Sequence, residues 1–153
     1  MLKIFKFLWV LTALLYFASL VLSYAFLSES VAISADERGI PDEFITKETF
    51  FYTALAIFVV INLLGSAFLR ILTGVPASSG MYFRSGNFKE NITSWFAGFI
   101  GIVNIFLASA AAYIALYNNQ GDYQISQFNW LIYVAPVLMF ISLVWLVIII
   151  GKR

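Results

Sequence analysis

The sequence has no cysteine and no histidine. Without thiols there is no disulfide, and cysteine usage says nothing of redox compartment. The donors that ordinary zinc sites, Cys- or His-ligated haem and iron–sulfur clusters require are absent. Histidine-based acid–base and triad chemistry is excluded on the same ground. Charge is scarce as well: Asp, Glu, Lys and Arg make up 11% of the 153 residues, against roughly 25% in a soluble domain. Hydrophobic residues make up 62%, and the mean hydropathy is +0.92. A chain with so little charge has too few ionic groups to cover its surface, so much of that surface must face something other than water.

What is present is long stretches without charge. Phe7–Ser28, Thr49–Leu69, Asn91–Gly121 and Tyr123–Gly151 are uncharged runs of 22, 21, 31 and 29 residues. At about 1.5 Å of rise per residue, about 20 apolar residues cross a hydrocarbon core about 30 Å thick. The runs do not alternate apolar with polar as barrel strands do, so backbone hydrogen bonding in lipid leaves helices. The sequence therefore predicts an all-α membrane protein, a single four-transmembrane-helix domain over 1–153. Its helices are expected near 4–27, 50–72, 93–117 and 128–151, with an acidic outer loop at 28–49 and an inner loop at 73–92. Lys3, Lys6, Arg70, Arg84, Lys89, Lys152 and Arg153 fall on one side, and only Arg38 and Lys47 on the other. The positive-inside rule then places both termini and the middle loop in the cytoplasm. Tyr24, Tyr52, Tyr117, Tyr123 and Trp130 suit an outer aromatic belt, and Trp9, Tyr82 and Trp95 an inner one. Lys3, Lys6, an apolar run and Ser23-Tyr24-Ala25 imitate a signal peptide, but the run is long enough to span and reads as a retained first helix.

No Asp, Glu, Lys, Arg or His lies in the interior of a predicted span; Lys6 and Arg70 stand within a turn of an end. Interior ionisable residues usually mark proton relays, ion paths or voltage sensors, so a proton-coupled transporter or pump is disfavoured while a passive pore is not. Two asparagines stand near mid-depth instead, Asn62 on the second helix and Asn104 on the third. An amide in hydrocarbon needs a polar partner. The pair is read as an interhelical hydrogen bond, with a substrate or ion ligand as the functional alternative. Around Asn104, Ala97, Gly101, Ala108, Ala111, Ala112 and Ala115 fall in a stripe about 100° wide. Small residues let a neighbouring backbone approach closely, so the stripe is read as internal packing, with a groove for a foreign helix as the alternative. Thr12, Tyr16, Ser19 and Ser23 share one face of the first helix. Pro136 removes a backbone donor inside the fourth helix and is expected to kink it. The acids between Glu29 and Glu48 do not match EF-hand spacing and read as a solvated loop. Asn91-Ile92-Thr93 falls on the inner side and reads as a chance sequon, and the Gly/Ser-rich middle loop lacks a phosphate-binding Gly-Lys-Ser/Thr ending.

The first outer loop, Leu27 to Asp42, resembles that of small bacterial membrane proteins related to the immunity protein of the sporulation-delaying toxin. That family's loop reads Leu-Pro, then Val-Pro-x-His-Phe, then Gly-x-Pro-Asp. Val31, Gly39, Pro41 and Asp42 stand in register with it. Ser28, Ala32 and Ser34 replace its two prolines and its histidine, so no histidine-dependent role carries over. The resemblance implies a helical fold in a bacterial cytoplasmic (inner) membrane and an immunity-like role. Together these readings give a non-enzymatic integral membrane protein that binds membrane partners, as an accessory subunit or immunity-like protein. A small passive channel or transporter with Asn62 and Asn104 lining the path is the alternative, and a membrane enzyme comes third. The expected partners are the lipid bilayer and other membrane proteins or a second copy; neither a cofactor nor a nucleic acid is expected.

Overall fold

A computed structural model describes residues 1–37, 40–76, 85–119 and 125–151. Four helices, α1 (Leu2–Phe26), α2 (Lys47–Gly74), α3 (Gly86–Asn118) and α4 (Trp130–Gly151), are each long and apolar enough to cross a membrane. The protein is an all-α four-helix membrane bundle, with one small β-hairpin between α1 and α2. Large apolar side chains such as Leu14, Leu64, Phe140 and Val147 are more than half exposed. In water so much exposed apolar surface would be a liability; against acyl chains it is the expected exterior.

Helices α2 and α3 overrun the predicted spans at both ends, because charge marks where hydrocarbon ends, not where a helix ends, whereas α4 starts two residues later than expected. Helix α3 begins seven residues before the expected Thr93. The Ser85 hydroxyl caps it by accepting from the Phe88 amide at 3.2 Å, satisfying one of the otherwise orphaned first-turn donors. At 33 residues it is about 50 Å long. Thr46 caps α2 in the same way, with Glu48 in the first turn, where the helix dipole favours an acid. At the other end of α2, the Lys89 ammonium donates to the Thr73 carbonyl at 2.7 Å and to the Val75 carbonyl, so a cation satisfies the terminal carbonyls. Helix α4 continues through Pro136.

Helix α3 is the centre of the bundle. It supplies eight buried residues, whereas α1, α2 and α4 each supply three. Contacts of Gly98 with Phe5, Gly101 with Trp9 and Thr12, Ala108 with Ser19 and Ala111 with Ser23 show that α1 and α3 run parallel. Helix α2 runs antiparallel to both, and α4 antiparallel to α3, to which it is tied by the Trp95 indole donating to the Ser142 carbonyl at 2.8 Å. Lys3, Lys6, Arg70 and Lys89 collect at the end of the bundle where α1 starts and α2 stops; the hairpin covers the opposite end. These are the basic end and the hairpin end below. Arg38, Arg84, Lys152 and Arg153, with Gly39, Tyr82 and Tyr123, lie outside the described residues.

The described residues of the segment expected as a solvated loop form two paired strands. Strand β1 (Ser30–Ala35) pairs antiparallel with β2 (Pro41–Thr46), with irregular register around Ser34. The Asp36 carboxylate accepts from the Ile40 amide at 2.9 Å and holds the turn. The strands form because Val31, Ile33, Phe44, Ile45 and Thr46 are β-branched or aromatic, and because Val31 finds a place to bury: it is 0% exposed and packs with Leu27, Phe50 and Tyr16. The acidic side chains stay outside, as a hairpin with one solvated face requires.

Candidate functional site

The two mid-depth amides face each other. Asn62 Nδ2 donates to Asn104 Oδ1 at 2.9 Å, and Asn104 Nδ2 donates back to Asn62 Oδ1 at 3.2 Å. A third residue joins them: Trp9 Nε1 donates to the same Asn62 Oδ1 at 2.6 Å. The second Asn62 Nδ2 proton goes to the Phe58 carbonyl, one turn back, at 2.9 Å. The indole has only a proton to give, so it fixes which side of the Asn62 amide is oxygen and thereby the sense of both amide bonds. Asn62 then spends both protons and accepts two donors, all inside the protein. Asn104 is 0% exposed. One polar cluster thus pins α1, α2 and α3 at a single depth, through bonds worth roughly 0.6–2 kcal/mol each in a membrane.

Trp9 and Trp95 are the described members of the expected inner aromatic belt. Both donate across the bundle, Trp9 to Asn62 and Trp95 to Ser142. An indole N–H beneath the headgroups must find an acceptor, and each helix offers one within reach.

The small-residue stripe of α3 lies against α1. Ala97 is 0% exposed, and Ala108 and Ala111 are buried; Ala112 and Ala115 are half-buried towards the hairpin end. A Cβ on Gly101 would stand 3.3 Å from the Thr12 hydroxyl and 3.6 Å from the Trp9 Cα, so backbone meets backbone there. The polar face of α1 uses that closeness. Ser19 donates to the Ala108 carbonyl at 3.0 Å and Ser23 to the Ala111 carbonyl at 3.1 Å. Tyr16 turns the other way and donates to the Ala54 carbonyl of α2 at 2.7 Å, its ring stacked on Phe58. Gly98, which sequence reasoning passed over, gives room to the Phe5 ring: a Cβ there would lie 2.9 Å from it. Among the described residues, the Ser94 hydroxyl is the buried side-chain polar atom left without a partner.

At the hairpin end, Asn118 serves as a staple that nothing but its place at a helix terminus signals. Its Oδ1 accepts from the Ala32 amide at 2.7 Å, and its Nδ2 donates to the Ala32 carbonyl at 3.0 Å. The side-chain amide acts as one residue of a third strand, satisfying the outer edge of β1 and fixing the hairpin to α3. The acids are spread along the hairpin, and among the described residues no group of three or more carboxylates is placed to hold a metal ion.

One further feature adjoins the polar cluster. Between α1 and α2 an open groove of about 590 Å³ runs from Lys6 and Arg70 at the basic end to Phe17 and Phe58 near mid-depth. Trp9 and Asn62 are on its wall, whereas Asn104 is not. Comparison of the chain with protein-family models, with curated proteins and with solved structures finds no match.

Proposed function

We propose that this protein is a non-enzymatic component of a bacterial cytoplasmic membrane that works by binding another membrane protein, as an accessory subunit or in an immunity-like role. The observation that carries the reading is the self-satisfied polar cluster. Asn62 and Asn104, the polar side chains at mid-depth best suited to handle a solute, are bonded to each other, to Trp9 and to the Phe58 carbonyl. A path for ions would leave such groups facing the lumen. The groove beside α1 favours the second reading, a passive channel or transporter, only as far as Asn62; the fully buried Asn104 is not on its wall.

For binding, the hairpin is the element with something to offer. It is tied to α3 by Asn118, and it leaves the apolar side chains of Ile33, Ile40 and Phe44 45%, 56% and 57% exposed beside a fringe of acids. Under the positive-inside orientation this surface is extracytoplasmic. The test is a photo-cross-linking residue placed singly at Ile33, Ile40 or Phe44, and at Phe140 on α4 as a lipid-facing control, in native membranes. A discrete protein adduct from the hairpin sites, absent from Phe140, is expected. Diffuse or absent protein adducts at all three hairpin sites would overturn the assignment of the hairpin.

A further inference from the structure

The groove between α1 and α2 combines three properties that together specify an occupant. The first is charge at its mouth. Lys6 and Arg70 both line it. The pairing of Trp9 with Asn62 and of Tyr16 with Ala54 and Phe58 sets the antiparallel register and places the two cations within about 3–9 Å of each other in depth. Neither has an acidic partner among the described residues.

The second property is a polarity gradient. Ser66, one turn deeper than Arg70, carries a hydroxyl with no partner among the described residues. Below it the walls are Val10, Leu14, Phe17 and Phe58. The amide of Asn62 is spent on Trp9, Asn104 and the Phe58 carbonyl. The deep part of the groove therefore has no free hydrogen-bonding group to offer a polar ligand, and suits a hydrocarbon.

The third property is length. From Arg70 to Phe58 the groove follows about 18 Å of helix, a little over half of a hydrocarbon core about 30 Å thick, which is the depth that one acyl chain reaches.

We infer that the groove holds one anionic phospholipid, its phosphate between Lys6 and Arg70, its ester region beside Ser66 and one acyl chain lying on α1 and α2 as far as Phe17 and Phe58. Basic pockets between helices at the basic side of a membrane protein are where anionic headgroups are held. The inference is independent of which protein the hairpin meets.

The test uses the full-length protein in nanodiscs of equal parts phosphatidylcholine and phosphatidylglycerol, read by native mass spectrometry as lipid molecules retained after activation. The intact protein should retain one phosphatidylglycerol in preference to phosphatidylcholine. The Lys6→Gln/Arg70→Gln double variant should lose that preference by about thirtyfold, since each surface cation contributes about one kcal/mol. Lys3→Gln removes a charge from the same end outside the groove and should leave the preference unchanged. Ala13→Phe, which fills the groove and keeps both cations, should abolish retention. Equal preference in the Lys6→Gln/Arg70→Gln and intact proteins, survival of retention in Ala13→Phe, or a dimer without lipid that Ala13→Phe dissociates would each overturn the inference.

Discussion

The polar cluster makes an asymmetric prediction about two near-isosteric substitutions. In Asn104→Leu, Asn62 loses two hydrogen bonds but keeps the Trp9 indole on its oxygen and the Phe58 carbonyl on its nitrogen, so the loss is about 1 kcal/mol. In Asn62→Leu, two groups are stranded. Asn104, 0% exposed, loses its partner, and the Trp9 N–H loses its acceptor. A buried donor or acceptor left unmade costs about 1–3 kcal/mol, attenuated in a bilayer because the dissociated helices also find partners. The expected cost is about 2–3 kcal/mol. In the double variant the amide pair is gone from both sides and only Trp9 is orphaned, so it should be no less stable than Asn62→Leu alone. The four proteins, unfolded by SDS titration from mixed micelles and followed by circular dichroism, should give a coupling energy of about 1–2 kcal/mol. Equal single-site losses that add to within about 0.5 kcal/mol, or a larger loss for Asn104→Leu, would refute the network.

Other substitutions test separate parts of the account. Ser94→Ala removes a buried hydroxyl without a partner and should leave stability unchanged or raise it by up to about 1 kcal/mol in the same titration. Gly101→Leu forces a side chain against the Trp9 backbone and should cost about 3 kcal/mol, whereas Ala112→Leu, at a half-buried position, should cost less than half as much. Asn118→Ala should release β1, seen as faster hydrogen exchange at the Ala32 amide with helix content unchanged. Single cysteines at Glu43 and Gln127 should react with an impermeant thiol reagent in intact cells, and one at Ser79 should not; the reverse pattern would invert the orientation.

The four helices were legible because uncharged runs of 21 or more residues leave no other way to satisfy a backbone in lipid. Their ends were not legible. Ser85 and Thr46 start α3 and α2 outside the hydrocarbon, where local capping rather than hydropathy decides. The depth of Asn62 and Asn104 could be counted from the sequence, but Trp9 could not be joined to them. Tryptophan near a basic terminus suits an interfacial belt equally well, and only the antiparallel packing of α1 on α2 brings its indole to Asn62. The hairpin was hidden by its charges. Five of the six acids between Glu29 and Glu48 are on its turn or strands or flank them, and they masked the short β-branched pattern that Val31 anchors. Asn118 pairs with Ala32 across 86 residues of sequence, a contact that no local pattern carries.

The claim that this bundle binds rather than conducts rests on its closed polar centre, and flux tests it directly. Purified protein reconstituted into liposomes loaded with a potassium-sensitive dye and, separately, a proton-sensitive dye should show no flux above that of protein-free liposomes under an imposed membrane potential. Flux that scales with protein content and changes in Asn62→Leu would contradict the account and make the asparagine pair part of a conducting path.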